Sequence, residues 1–501
     1  MRLEDFPQKD REALVPQAGG RLVYQCLGCS AELGIDKLLY TCPECGEVLL
    51  IKDNDFDRLK KKPGTFWRRL FDLRRMLNTP ALKGIFRYHE LIAPVIPLDS
   101  VVYLGEGHTP MVEACPALRE DAGAPFFFKN DGQNPSASFK DRGMAAALSY
   151  IRYLVKHKGA GPILSVCAST GDTSAAAALY ASYLAPDVAS AVLLPQGKVT
   201  PQQLSQPLGS GAKVFEIPGV FDDCMKVVEY LADSYQVALL NSKNAWRILG
   251  QESFAFEIAQ DMDYDLTGAC MFLPIGNAGN VSAVLAGFLK LYDLGLVTSL
   301  PKVIGVQSHH ADPVFRYYQE TNPEKRKWQP VTVQASAAQA AMIGNPVSMP
   351  RVMELARRYE RAAGRPAFYV VQVTEQQIMD NMILANRHGH IACTQGGESL
   401  AGLRRAVELG ILGPEEYAVL DATAHHLKFI GFQQMYFEDS FPPDFGVKPR
   451  KELVNMPQEV RAEGISQFPQ PGRPLSGEPF EKFVEATALE IARRLGLEER
   501  G

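Results

Sequence analysis

From about residue 100 to residue 425, short apolar runs alternate with longer stretches of helical period. PILSVCA (162–168) precedes TSAAAALYASYLA, and ASAVLLP (189–195) and AKVFEIP (212–218) precede segments such as FDDCMKVVEYLADSY. ACMFLPIG (269–276) precedes NVSAVLAGFLKLYDLG, and KVIGVQS (302–308), AFYVVQV (367–373) and YAVLDAT (417–423) continue the series. Short strands apolar on both faces, alternating with helices, predict an α/β fold with parallel sheets covered on both sides. Before this region, residues 56–100 form a helical segment. Its basic positions (Arg58, Lys60, Lys61, Lys62, Arg68, Arg69, Arg74 and Arg75) read as a solvated helix face. After it, residues 431–501 form an extension, rich in Pro up to about 475 and closed by the amphipathic helix PFEKFVEATALEIARRLG.

Composition changes the picture mainly by exclusion. The 501 residues are 46% hydrophobic and 22% charged, which excludes disorder throughout. A net charge of −5, from 52 Lys and Arg against 57 Asp and Glu, argues against a dedicated nucleic-acid binder. MRLEDFPQKDREALVPQ is charged and has no apolar centre, so it does not read as a secretory signal. No run of about 18 apolar residues free of charge is present, so the expectation is a soluble, cytoplasmic protein.

Four of the nine cysteines fall in one short window. Cys26-Leu-Gly-Cys29 and Cys42-Pro-Glu-Cys45 are two knuckles that a hairpin would bring face to face, and four thiolates suit tetrahedral Zn(II). Residues 1–55 are therefore expected to be a small zinc ribbon with a structural metal, since four thiolates leave no open position. Cys115, Cys167, Cys224, Cys270 and Cys393 sit in apolar contexts and read as core residues.

Four polar islands interrupt the α/β region. Asn134-Pro-Ser-Ala-Ser-Phe-Lys140-Asp-Arg-Gly143 puts a lysine between a Phe and a helix start, a place for an amine of lowered pKa. Ser169-Thr-Gly-Asp-Thr173 follows one predicted strand and opens a helix, where backbone N–H groups can grip a carboxylate. Gly276-Asn-Ala-Gly-Asn280 does the same after another strand and suits a phosphate. Thr423-Ala-His-His-Leu-Lys428 follows the last strand. The histidines of 309–310, 388–390 and 425–426 lack spaced partners for a metal, and His425 and His426 are expected to line or underlie the pocket.

In this order the islands resemble the fold-type II pyridoxal 5'-phosphate (PLP) enzymes, a tryptophan synthase β-like fold, and most closely the threonine synthase family. The lysine run resembles that family's NPTGSFKDRG, and Leu104-Gly-Glu-Gly-His-Thr-Pro110 resembles its LGEGxTP. Asn241-Ser-Lys-Asn-Ala-Trp-Arg247 with Gly250-Gln251 resembles its NSxNxxRxxGQ, and Ile343-Gly-Asn-Pro-Val-Ser348 also fits.

The resemblance implies two parallel-sheet α/β domains over residues 101–430, with a small domain of roughly 145–240 inserted in the large one and the cofactor between them. It implies that Lys140 binds the cofactor covalently and then shuttles protons. Gly276, Asn277, Ala278, Gly279 and Asn280 would cradle the cofactor phosphate, and Thr423 would hydrogen-bond the pyridine nitrogen. Ser169, Thr170, Asp172 and Thr173 would hold the substrate carboxylate and the cofactor's 3-oxygen side. Asn241, Ser242 and Arg247 would hold a substrate phosphate. Two departures stand out: Ala137 and Ser174 replace glycines, and both bear on substrate choice. Asp172 would also be less comfortable than Asn beside a carboxylate, because like charges repel unless a proton is shared.

The implied reaction converts O-phospho-L-homoserine and water to L-threonine and phosphate. The rival enzymes are a serine/threonine dehydratase or a phosphoserine β-replacement enzyme, and the rival outside catalysis is a zinc-ribbon nucleic-acid binder. The expected partner is a small phosphorylated amino acid, with neither a membrane nor a nucleic acid, and with a homodimer as the assembly to test.

Overall fold

A computed structural model of the chain describes residues 1–169, 171–196, 201–219 and 221–498. Two compact units form, Met1–Arg450 and Lys451–Gly501. In the first, strands β1 (Leu22–Cys26), β2 (Glu32–Gly34) and β3 (Leu49–Asp53) make an antiparallel sheet of order β2-β1-β3. β4 (Met111–Glu113) and β5 (Phe126–Lys129) come next. They are followed by β6 (Ile163–Ala168), β7 (Val188–Pro195), β8 (Lys213–Ile217) and β9 (Val237–Leu239), which pair in parallel in the order β8-β7-β6-β9. β10 (Ala269–Pro274), β11 (Lys302–Ser308), β12 (Phe368–Val373) and β13 (Tyr417–Asp421) complete the larger sheet, β12-β11-β10-β13-β5-β4. That sheet is parallel except for the edge strand β4, which runs antiparallel to β5.

The apolar runs read from the sequence become β6, β7, β8, β10, β11, β12 and β13 with ends shifted by at most two residues. β4, β5 and β9 are additional. β4 and β9 are three residues long, too short to show a period. β5 is an aromatic run ending in Lys129, which breaks the apolar pattern. Lys129 is nevertheless buried, paired with Glu257 at 3.3 Å and Asp261 at 3.0 Å.

The basic stretch 58–75 is a largely solvated face, with Lys60, Lys61, Lys62, Arg69 and Arg75 exposed, and it departs from that reading at Arg74. Helix Gly64–Met76 buries Trp67, Leu70, Phe71 and also Arg74. Arg74 makes two contacts with the Glu90 carboxylate, at 2.6 and 2.7 Å, and donates to the carbonyls of Ala13, Leu14 and Arg87. A buried cation is tolerated when paired and fully hydrogen-bonded, and a charge pattern alone cannot show the partner sixteen residues away. The first unit also continues past 430. Tyr436 on helix Ile430–Phe437 hydrogen-bonds Asp380, and its hydroxyl accepts from Arg450 N–H at 3.0 Å. The second unit carries helix Glu478–Leu495, whose Phe480, Val484, Leu489 and Leu495 are exposed. Among the described residues no helix is long and apolar enough to cross a membrane.

Candidate active site

Helix Lys140–Lys158 starts at the lysine and ends at Gly159, which takes a left-handed φ of 69°. It packs against helix Ala245–Gln251 through two glycines. A Cβ on Gly143 would come 3.0 Å from the Arg247 carbonyl oxygen, and one on Gly250 would come 2.2 Å from that of Arg142. Both glycines stand in the motifs around Lys140 and Arg247. Their task is steric: they let the two helices approach, and the approach fixes the separation of amine and guanidinium.

Lys140 and Arg247 face one cavity of about 1090 Å³, formed where strands of both parallel sheets end. Ala168 ends β6 and Ser169 follows it, the 276–280 loop follows β10, and Thr423 follows β13. Ligands of doubly wound sheets bind at such carboxyl ends. The cavity wall includes Asp172, Thr173, Asn241 and Ser242 as well, so the structure gathers every site residue read from the sequence except Thr170, which lies outside the described residues.

Burial, and next the charge of Arg247, lower the Lys140 amine to about 8, while Asp172 and Asp421 act in the opposite direction. Arg247 is 2% exposed and donates to the Leu240 carbonyl at 2.9 Å. It forms no ion pair among the described residues, and its Nε has no hydrogen-bond partner. Burial lowers it to about 10, so it stays a cation at neutral pH. A buried guanidinium at a cavity wall, with no carboxylate partner among the described residues, has the chemistry to pair with an anion.

The 276–280 loop fits a phosphate. Ala278 takes a left-handed φ of 59° and opens helix Gly279–Asp293, whose first N–H groups have no acceptor within the helix. A Cβ on Gly276 would come 2.9 Å from the main-chain Cα of Ala341, and one on Gly279 would come 3.0 Å from Ile248 Cδ1, a side-chain atom that would have to give way. A cradle of backbone donors, an enclosed amine of lowered pKa and a hydroxyl at Thr423 form a donor set that suits PLP. Asn280 uses its side-chain N–H on Asp421 at 2.8 Å, which leaves its main chain for the cradle. The Thr423 hydroxyl lies 3.6 Å from Cys393 Sγ, a neighbour the sequence did not point to.

The carboxylate of Asp172 is answered by Lys428, 2.7 Å away, whose ammonium also donates to the Ser136 carbonyl at 3.0 Å. Lys428 is a site residue that sequence reasoning left without a role; the signal was the need for a cation beside Asp172. Asn241 fastens its amide to both main-chain groups of Ala168, at 3.1 and 2.6 Å, so it shapes the wall more than it offers a free donor. Ala137 keeps a left-handed φ of 62° without being glycine, and Ser174 turns its hydroxyl to the Gly171 carbonyl at 2.7 Å. His425 and His426 do not line the cavity: their rings face each other at 4.7 Å, and His425 Nδ1 accepts from Leu427 N–H.

At the end of β1 and in the connections between the strands of the antiparallel sheet, the sulfurs of Cys26, Cys29, Cys42 and Cys45 all lie within 4.8 Å of one another. The N–H groups of Gly28 and Cys29 point to Cys26 Sγ at 3.3 and 3.4 Å. Burial raises the Cys26 thiol, but these donors and Cys45 outweigh it and the net shift is downward. The cluster is consistent with a zinc ribbon. Cys167, Cys224, Cys270 and Cys393 are buried; Cys115 is half-buried, with its sulfur 3.3 Å from His388 Nδ1.

The model of the pyridoxal-phosphate dependent enzyme family matches residues 102–422, which defines the class. Threonine synthase of Methanocaldococcus jannaschii is 33% identical over 410 residues, 81% of this chain and 93% of that protein. Threonine synthase 2, chloroplastic, of Arabidopsis thaliana is 32% identical over 437 residues, 86% of this chain and 80% of that protein. The fold matches that of Escherichia coli threonine synthase with a TM-score of 0.62 at 20% identity, covering 87% of this chain and 93% of that one. The chain belongs to the threonine synthase family of PLP-dependent enzymes.

Proposed function

We propose that the protein converts O-phospho-L-homoserine and water to L-threonine and phosphate, as a PLP-dependent lyase with a structural zinc in its ribbon. When bound, the cofactor supplies an electron sink for the negative charge that would develop at the amino acid's Cα and Cβ. Lys140, which would hold it, has its free amine lowered by burial to about 8, within reach of proton transfer near neutral pH, and it lines the cavity where protons would move on and off the substrate carbons. Gly276 to Asn280 would hold the cofactor phosphate through their main chain, and Thr423 would face the pyridine nitrogen. The N-terminus of helix Asp172–Tyr183, with Ser169 and Thr173, would receive the substrate carboxylate. The Lys428–Asp172 pair leaves that end of the cavity without a net negative charge. Arg247 and Ser242 would take the substrate's own phosphate.

The observation that carries this reading is Arg247: a buried guanidinium facing the cavity that pairs with no carboxylate among the described residues. A substrate bringing only a hydroxyl would leave that charge unanswered. We place the protein in the cytoplasm, as a homodimer without nucleic acid. Phosphate release should be fast with O-phospho-L-homoserine and slow with O-phospho-L-serine, and L-threonine itself should not be deaminated. Preference for phosphoserine, or deamination of threonine at comparable rate, selects a rival enzyme instead.

A further inference from the structure

Arg351, in helix Met349–Ala363, is fully buried and forms no ion pair among the described residues. Its Nε and Nη2 donate to the carbonyl of Leu49, on ribbon strand β3, at 3.0 and 2.8 Å. Its Nη1 donates to the carbonyl of Ser242 at 3.0 Å and to Ser348 Oγ at 2.8 Å, and its Nη2 to the carbonyl of Lys243 at 3.0 Å. One fork therefore fastens the ribbon to the loop that bears Ser242 and leads to Arg247. Two ribbon tyrosines repeat the connection. Leu239 N–H donates to the Tyr40 hydroxyl at 2.8 Å, and Trp246 Nε1 donates to the Tyr24 hydroxyl at 3.0 Å. Trp246 also stacks on Tyr150 at 4.0 Å, and the Tyr150 hydroxyl donates to the Ile35 carbonyl at 2.6 Å.

We infer that the ribbon positions the phosphate subsite: Arg351, Tyr24 and Tyr40 hold residues 239–247 so that Arg247 meets a phosphate dianion without rearrangement. This rests on the phosphate role of Arg247 proposed above. A forked contact rewards a guanidinium already aimed, because ordering it at the moment of binding subtracts from affinity. Burial lowers Arg351, Glu47 opposes that shift, and the charge of Arg247 adds to it.

The test is calorimetric binding of inorganic phosphate to the PLP-loaded enzyme, in which the cofactor's own phosphate site is filled. The variants are Arg351→Lys, which keeps a charge but cannot bridge three carbonyls, and Tyr40→Phe, which removes one hydroxyl. Each should weaken phosphate binding at least about fivefold, the effect of losing one or more buried hydrogen bonds. The cofactor's absorbance should stay that of the wild type. The double variant should lose less than the product of the two, because both act on one segment. Phosphate binding within about twofold of wild type in both variants, with native absorbance, overturns the proposal. A wild type that takes up PLP but binds no phosphate overturns the substrate reading and the clamp with it, so the two failures are distinct.

Discussion

Gly250 lies so close to Arg142 that a Cβ there would meet the Arg142 carbonyl oxygen at 2.2 Å. Because the obstacle is main chain, no rotamer change relieves it. Gly250→Ala must push helix Ala245–Gln251 away from helix Lys140–Lys158, and overpacking of this kind costs about 1–3 kcal/mol or more. The variant should melt at lower temperature than the wild type and bind inorganic phosphate more weakly, since Arg247 moves with its helix. Calorimetry of both proteins checks it; unchanged melting would mean that the helices are not held at this contact.

Ala137 carries a left-handed φ of 62°, a conformation that costs a residue with a Cβ roughly 1–2 kcal/mol and glycine little. Its N–H is bonded to the Asn134 carbonyl at 2.7 Å, so the turn is fixed from outside. Ala137→Gly removes the strain but adds freedom to the unfolded chain, about 0.4–1 kcal/mol in the opposite direction. The net expectation is a gain of about 1 kcal/mol or less, read from denaturant unfolding. A loss of stability would mean that the Ala137 methyl packs better than its backbone suffers.

The Lys140 amine, lowered to about 8 first by burial and then by Arg247, should react with PLP at far lower pH than a free lysine. The neutral amine is the nucleophile, so the rate of PLP uptake by apoprotein, fixed with borohydride, should rise as pH increases through 8 and then level off. An ordinary lysine would keep rising to beyond pH 10. Arg247→Ala removes one of the charges that lower the amine, and the midpoint should move up. A midpoint unmoved by that change would separate the two groups.

Serine at any one of Cys26, Cys29, Cys42 or Cys45 should reduce bound zinc from about one per chain to a fraction of that, by the four-thiolate count. Stability should fall, because closed metal sites contribute folding energy. The absorbance of bound PLP should persist, since among the described residues none of the ribbon lines the cavity. Metal-free protein with native melting behaviour would remove the zinc assignment.

How far the sequence carried the reading follows from what each signal encodes. Doubly buried strands such as Lys302–Ser308 leave an unbroken apolar run, so their place could be read directly. Phe126–Lys129 could not, because the lysine that ends it is buried by two carboxylates distant in the chain. The site's glycines and charged residues were legible as islands between strand and helix, where a fold of this class gathers its ligands. What stayed hidden depends on distant pairing. Lys428 answers Asp172 across 256 positions. Arg351 joins a ribbon strand to the Ser242 loop, at separations of 302 and 109 residues. Arg74 looked like surface because its acid and its carbonyl acceptors come from other segments.

The most direct test of the central claim is Arg247→Ala against wild type on O-phospho-L-homoserine, with phosphate and L-threonine both quantified. Two charge-assisted bonds to a phosphate dianion are worth about 3–6 kcal/mol in a closed site. The wild type should form the two products in equal amounts. The variant should bind PLP normally while kcat/KM falls by about two to four decades. Arg247→Lys should recover only part, because an ammonium cannot make the forked contact. A loss of less than about threefold in the alanine variant, or phosphate released without threonine, would contradict the account.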